Sequence, residues 1–482
     1  MQTPFFPQFR ARLAALGPRV QQLRQQSLLQ LELLFGSLIP PGLLAQTDEK
    51  ANSRDRIFSL RRTFWLFLYQ VLNPGSPCRE AVRQIRALFC LHNLGPVDEG
   101  TGGYCRARKR LPLDTLVRLR HAAAAHAQKL LPAAQQLWYG WRPKLVDGTG
   151  TTLPDTPKNQ RVYPQSRAQK PGCGFPLLKL VGIFSLSSGA LLDYAKGNKH
   201  QHELRLLHQL LDHFKAGDLL VADRGFCCYA LIALLLLRGV GSLFRLHQRR
   251  LIDWRQGQRL GKNDRLVSWR KPEQKPRYLP NTLWRQIPEV LTVRVLRFKL
   301  AVRGYRPESV TLVTTLVDAK AYPARELARL YARRWRIELC FDDIKTTLGM
   351  EHFSCKTPQI MHKELKMFFI AYNFLRALMT EAAALYEVPV KRLSFKSTMD
   401  SARQYSITIA QARSKKKQRE LVADLLAVLA ADLVPERPGR CEPRARKRRP
   451  KPYPLLNKPR HQFKDIAHRN RHWKNNPRKT KG

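Results

Sequence analysis

The chain has 482 residues, enough for several domains at roughly 100–200 residues each. Apolar residues make up 44% of it, which excludes a disordered protein, and 86 Lys plus Arg against 36 Asp plus Glu leave a net charge of +50. A surplus that large favours a polyanionic partner, and nucleic acid is the usual one because each neutralised phosphate releases counterions; a ribosome-like structural protein or a membrane-surface binder is the alternative.

Residues 1–135 read as helical. Apolar side chains recur at helical spacing from Phe58 to Leu68 and again from Ala81 to Phe89, and the Asn73-Pro-Gly-Ser-Pro77 break between them offers Ser76 as an N-cap. The basic cluster Arg106, Arg108, Lys109 and Arg110 either lies along DNA or forms a solvated charged turn. From about residue 136 short β runs alternate with helices. Lys144 to Asp147 is a short apolar strand ending in a carboxylate, Leu177–Leu186 and Gly189–Tyr194 form a hairpin, and 201–214 is an amphipathic helix. Asp218 to Asp223 is a buried strand, with a helix over 226–238 and a strand from Gly241 to His247 behind it. The longest clean apolar run here, Ala230 to Leu237, is far shorter than the roughly 20 residues a bilayer requires, so no membrane partner is expected.

Residues 251–308 break the alternation. They are basic, hold Trp254, Trp269 and Trp284, and read as a β-rich insertion; a returning strand follows at Val310–Val317. One long helix is predicted from about Pro323 to Leu348, with Gly349 as its stop, and another over 359–386. Residues 436–482 carry 17 Lys plus Arg against three acids (Glu436, Glu442, Asp465) and read as a basic disordered tail. The start, MQTPFFPQFRARL, has no signal-peptide h-region. Nine cysteines, an odd count with no C-x-x-C pair, argue against a disulfide framework or a zinc ribbon and fit a cytoplasmic protein. The expected organisation is thus a helical DNA-binding region (1–135), an α/β core in two parts (136–250 and 309–350) around the insertion, a C-terminal helical region (351–435) and the tail.

The helix from Tyr331 to Lys345 carries the clearest chemical pattern. Tyr331, Arg334, Glu338 and Lys345 are spaced 3, 4 and 7, which places a phenol, a guanidinium, a carboxylate and an ammonium on one stripe. Arg334 and Glu338 alone are also consistent with an exposed i,i+4 pair. Leu330, Trp335, Ile337, Leu339, Phe341 and Ile344 imply that the helix is packed, so the stripe needs partners. Asp147 and Asp223 each end an apolar strand and precede a glycine, which places both carboxylates at the sheet edge, although a turn-forming Asp is the commoner reading of either alone. Together the three residues offer hard oxygen donors on three rigid elements, the donor set that suits Mg²⁺ or Mn²⁺; two such ions suit an in-line displacement at phosphorus. Asp342 and Asp343 are alternatives to Glu338, which the stripe favours. His200 and His202 read as polar residues at a helix start, and Cys227-Cys228 as packing.

Asp147-Gly-Thr149, Gly217-Asp-Leu-Leu-Val-Ala-Asp-Arg-Gly-Phe226, the Tyr331…Arg334…Glu338…Lys345 signature and Ala371-Tyr-Asn-Phe-Leu-Arg376 together resemble the insertion-sequence-four family of bacterial DDE transposases, over about residues 50–410. The resemblance implies a ribonuclease-H-like core with a β-strand insertion between Asp223 and Glu338. It implies that Asp147, Asp223 and Glu338 are the catalytic triad, binding two Mg²⁺ or Mn²⁺ ions, and that Tyr331, Arg334 and Lys345 bind transposon-end DNA. It further implies cleavage through a DNA hairpin, whose tight bend expels a base; one of Trp254, Trp269 or Trp284 is a candidate to stack on it. The expected partners are double-stranded DNA, as transposon ends and target, and a second copy of the chain in the DNA complex, in the bacterial nucleoid. Two rivals remain: a ribonuclease-H-like nuclease without strand transfer, which does not need the stripe, and a non-catalytic nucleic-acid-binding protein, which leaves the three carboxylates unexplained.

Overall fold

The computed structural model of the chain describes residues 29–44, 57–91, 93–167, 169–300 and 308–435, together with 459 and 462. The tail predicted over 436–482 therefore lies outside the described residues, those two positions excepted. Strands β1 (Arg142–Thr152), β2 (Leu177–Ser185), β3 (Leu191–Gly197), β4 (Asp218–Ala222), β5 (Gly241–Arg245), β6 (Gln258–Gly261), β7 (Asp264–Arg270), β8 (Val290–Leu300) and β9 (Glu308–Thr314) form one sheet. Its order is β3-β2-β1-β4-β5-β9-β8-β7-β6. β1 pairs antiparallel with β2, and β2 with β3, whereas β4 runs parallel to both β1 and β5. From β9 outward every pairing is antiparallel. The protein is a mixed α/β structure.

Period-two alternation divides the apolar side chains between the two faces of this sheet. Leu145, Leu219, Val221, Leu243 and Leu312 join one core cluster, while Val146, Leu220, Ala222, Phe244 and Val313 join the other. The first face is covered by the helix Ala324–Ala332 and its continuation, and by the helix Pro358–Leu385. The second face is covered by the helices Glu203–His208 and Tyr229–Leu236. All five residues of β4 are buried, as expected of a central parallel strand covered on both sides.

Pro358–Leu385 is long and apolar enough to cross a bilayer, but 83% of its most apolar stretch is buried inside the protein. The helices Leu60–Leu72, Leu113–Lys129, Phe395–Gln411 and Lys415–Ala431 pack around it. Several of its polar residues are satisfied by neighbouring elements. Asn373 accepts from the Leu191 N–H at 2.9 Å and donates to the Leu191 carbonyl at 2.9 Å, so the helix is sewn to β3 as another strand would be. The Tyr372 hydroxyl donates to the Gly189 carbonyl at 2.6 Å. The N-terminal helices share this core: Phe35 stacks on Phe374 with ring centroids 5.1 Å apart.

Two sequence expectations change here, and a third gains its place in the sheet. The helix expected from Pro323 to Leu348 is segmented, as α-helix over Ala324–Ala332, a 3₁₀ turn over Arg333–Trp335, α-helix over Arg336–Asp342 and a π turn over Asp343–Thr347. The β-rich insertion expected over 251–308 contains β6, β7 and β8, and β8 pairs with β9, so it extends the main sheet. Helix Gly102–Arg110 replaces the charged turn, with Arg106, Lys109 and Arg110 exposed and Arg108 only 5% exposed. Arg108 is therefore not available to DNA: its guanidinium lies 4.0 Å from the Phe67 ring centroid and donates to the Cys78 and Cys355 thiols.

Candidate active site

The parallel ladder between β1 and β4 ends at the pair Val146–Ala222. Asp147 and Asp223 are the next residue on each strand, so the register alone brings the two carboxylates side by side. Asp147 does not end its strand, as the sequence suggested. The antiparallel partner β2 is longer than β4 and carries β1 on to Thr152 through Gly148 and Gly150. Asp147 is thus at the end of one ladder and in the middle of another. Asp223 does end β4; its Oδ1 accepts from the Gly225 N–H at 2.9 Å and caps the short turn Arg224–Phe226. The Arg-Gly that follows it in sequence supplies that N–H, so the turn holds the carboxylate at the strand end.

Asp147 lies two residues beyond Leu145, on the face covered by the Glu338 helix. Its Oδ1 accepts from the Gly148 N–H at 2.7 Å, and its Oδ2 faces Arg334 Nη1 at 3.4 Å. Arg334 Nη2 also donates to Glu338 Oε1 at 3.1 Å. One guanidinium therefore spans the strand aspartate and the helix glutamate. Burial pushes the Asp147 carboxyl up to about 6; the Gly148 N–H opposes the shift, neighbouring Asp223 adds to it, and Arg334 opposes it. Burial works against the Arg334 charge, but Tyr331, Glu338 and Asp147 keep its pKa above the ordinary value.

The rest of the stripe falls into place around this centre. Tyr331 is 8% exposed, with Arg334 5.9 Å from its ring centroid. Lys345 Nζ lies 3.4 Å from the Thr149 hydroxyl, two residues along β1 from Asp147. The structure thus gathers Asp147, Asp223, Tyr331, Arg334, Glu338 and Lys345 at one edge of the parallel strands.

The alternatives to Glu338 point elsewhere. Asp343 Oδ2 accepts from Arg376 at 2.6 Å, on the helix Pro358–Leu385, and burial pushes its carboxyl up to about 6. Asp342 accepts from the Thr346 hydroxyl at 2.8 Å. The Asp343–Arg376 pair fixes the Glu338 helix against the core, a role the sequence reading did not assign. His202 is the N-cap of Glu203–His208, as a helix-start residue should be. Cys227 and Cys228 pack against the second core, and burial pushes the Cys227 thiol up to about 12. All eight cysteines among the described residues are free. Two site features escaped the sequence reading: Thr149 as the partner of Lys345, and Glu203, whose carboxylate lies against Gly148 so closely that a Cβ there would meet its Oε1 at 2.2 Å.

The insertion tryptophans are not equivalent. Trp269 is 5% exposed beneath Arg250 and is closed to a DNA base. Trp254 is half-buried with its indole N–H inside, and Arg297 covers its ring at 4.3 Å. Trp284 is half-buried on the short helix Asn281–Gln286, with Lys271 Nζ 4.9 Å from its ring centroid.

The donors at the site are hard carboxylate oxygens, so the residues fit a divalent cation by donor type. Among the described residues no three His, Cys, Asp or Glu side chains are gathered closely enough to close round one ion; Asp147 and Glu338 are linked through Arg334 instead.

Comparisons with known proteins cover this region. A family profile described as "Transposase DDE domain" matches residues 142–374, from the first residue of β1 to the middle of the long helix. The transposase InsG of insertion sequence element IS4 from Escherichia coli (strain K12) is 26% identical over 431 residues, covering 88% of this chain and 94% of that protein. A cryo-electron-microscopy structure of the piggyBac transposase synaptic complex with hairpin DNA aligns over 83% of this chain and 85% of its own. That alignment has 10% identity and a TM-score of 0.38, too distant to bear on the fold.

Proposed function

We propose, for a chain that belongs to the insertion-sequence-four family of DDE transposases, that Asp147, Asp223 and Glu338 hold two divalent metal ions, Mg²⁺ or Mn²⁺, and that the protein cuts its transposon ends and joins them to target DNA. The observation that carries this reading is the register: the β1–β4 ladder ends one residue short of both aspartates, and Arg334 links Asp147 to Glu338. The strand order β3-β2-β1-β4-β5, with the first three antiparallel and β4 and β5 parallel to β1, supports a ribonuclease-H-like core, and β6 to β8 support the insertion.

When bound, the ions activate the attacking oxygen and stabilise the leaving oxygen of an in-line displacement. The chain's own residues do the positioning. The rigid ladder fixes Asp147 and Asp223, and the Asp343–Arg376 pair fixes the helix that presents Glu338. Tyr331, Arg334 and Lys345 form a phenol–guanidinium–ammonium row that can grip the phosphates on either side of the cut; Arg suits a bidentate grip. Water is the first nucleophile and the freed 3′-OH the second. One set of carboxylates serves hairpin formation, hairpin opening and strand transfer, because each is the same displacement at phosphorus. The protein works in the cytoplasm on the chromosome, as a dimer when two ends are held.

The test is incubation of the protein with supercoiled plasmid carrying the element's inverted repeats, with Mg²⁺ or Mn²⁺. Cut and joined products are expected. Cutting without joining favours a simple nuclease, and no cutting with any divalent metal overturns the reading.

Two further outcomes follow. Removing residues 436–482 is expected to weaken DNA binding without altering sequence preference, because the surplus of 17 − 3 = 14 charges meets phosphates rather than bases. The salt dependence of binding, measured by fluorescence anisotropy, should become shallower; lost preference at an unchanged slope contradicts this. Of the insertion tryptophans, Trp284 is the one we assign to the expelled base, since Trp269 is enclosed and Trp254 has its indole N–H buried. Stacking contributes about 1–3 kcal/mol, so Trp284→Ala protein should nick normally but form about tenfold fewer hairpins on pre-nicked ends. Normal hairpin yield from a folded Trp284→Ala protein removes the assignment.

A further inference from the structure

Beyond Asp147, β1 runs on to Thr152, and beside its far end lies a cavity of about 390 Å³ lined by Ser166, Arg167, Leu177, Lys179, Lys199 and His200. Three cations and a histidine line it, and no carboxylate does. Lys179 comes from β2, where it faces Gly150 across the ladder. Arg167 and Ser166 come from the loop before β2, and Lys199 and His200 from the turn after β3. Among the described residues none of the four basic side chains is in an ion pair; Lys179 Nζ donates to the Gln201 carbonyl at 3.3 Å.

Both loops are built rather than loose. Gln165 Oε1 accepts from the N–H groups of Gly172 and Gly174, each at 3.1 Å, and its Nε2 donates to the carbonyls of Gln169 and Lys170. Gln160 holds Gly174 and the Gln165 N–H. In the second loop the Asn198 N–H donates to Gln201 Oε1 and Asn198 Oδ1 accepts from the His200 N–H, each at 3.0 Å. Asn198 Nδ2 then ties this loop to the first through the Val162 carbonyl at 3.1 Å. Side-chain amides thus hold the backbone that presents unneutralised cations around one concavity. Such an arrangement is selective for an anion, because the cations repel one another until one arrives.

Gly150, opposite Lys179, is three residues past Asp147, an odd step along the strand, so Lys179 lies on the sheet face opposite the carboxylate. We infer that the pocket of Arg167, Lys179, Lys199 and His200 takes a backbone phosphate of the bound DNA where it passes the far end of β1. The inference rests on the reading that DNA lies across the carboxylates.

The test is the salt dependence of binding of the full chain to a fluorescein-labelled 30-base-pair duplex, without metal, so that its outcome is independent of catalysis. One phosphate contact contributes about 0.9 to the slope of log K against log salt. Arg167→Ala/Lys199→Ala protein is expected to lose about one in slope and to bind about tenfold more weakly at 0.1 M salt. Lys415→Ala/Lys416→Ala protein removes the same charge from an exposed helix start and should bind like wild type. Melting curves confirm that both variants fold. If the pocket variant matches wild type, or both variants weaken equally, the pocket is not a phosphate site. If the pocket variant weakens as expected while the wild type cuts no plasmid, the phosphate site stands and the transposase reading fails.

Discussion

Asp147→Asn, Asp223→Asn and Glu338→Gln are each expected to lower DNA cleavage by at least about a thousandfold while leaving DNA binding intact. Each change keeps the shape of the side chain and one oxygen but removes the negative charge that a hard divalent cation requires. A thousandfold corresponds to about 4 kcal/mol of barrier, at about 1.36 kcal/mol per tenfold. Binding should persist because the chain keeps nearly all of its net charge of +50 and because, in the Glu338→Gln protein, the new amide oxygen can still accept from Arg334. Cleavage of end-labelled DNA, with anisotropy on the same preparations, measures both quantities. A Glu338→Gln protein that cuts at the wild-type rate removes Glu338 from the triad.

The second large effect concerns the insertion. Arg294 on β8 is 1% exposed and pairs with Asp264 on β7 at 2.6 and 2.9 Å. Its remaining Nη1 donates to the carbonyls of Tyr322 at 2.6 Å and Asp318 at 3.3 Å, in the segment that leads into the Glu338 helix. The pair therefore ties the insertion strands to the element that positions the glutamate. Removing one member of a buried pair leaves the other charge uncompensated, which costs about 3–5 kcal/mol. Asp264→Ala should lower the melting temperature by about 6–20 °C, at roughly 2–4 °C per kcal/mol for a unit of this size. Replacing both residues by apolar ones, Asp264→Leu with Arg294→Met, should recover much of the loss. An Asp264→Ala protein that melts within about 2 °C of wild type contradicts the account of this pair.

Local signals were legible where local physics decides the structure. An unbroken apolar run from Leu219 to Ala222, closed by Asp-Arg-Gly, announced a buried strand ending in a carboxylate, and the structure has β4 there. The 3-4-7 spacing announced the stripe, and the contacts of Arg334 and Lys345 gather it. What was not legible depended on distant partners. Gly148-Thr-Gly150 reads as a turn, yet the ladder with Leu178 to Val181 of β2 keeps it extended. The alternation in Val293–Leu300 announced a strand, but its pairing with β9, which merges the insertion into the main sheet, is a long-range choice. Helical period gave one helix from Pro323 to Leu348, whereas packing against β1 and Pro358–Leu385 accompanies a 3₁₀ turn and a π turn within it. Arg108 belongs to a cluster that reads as DNA-facing or solvated, and Trp269 is one of three candidates to stack on an expelled base. Each is buried in a cation–aromatic contact, with Phe67 and Arg250 respectively, and neither partner is near in sequence.

The central claim is that Asp147, Asp223 and Glu338 form one divalent-metal site. Mn²⁺ binding followed by electron paramagnetic resonance, on wild-type protein bound to uncut DNA, tests it most directly, with Asp147→Asn and Glu338→Gln proteins beside it. The account predicts two bound Mn²⁺ per chain for the wild type, with at least one lost in either variant. Equal Mn²⁺ binding in all three proteins would contradict it.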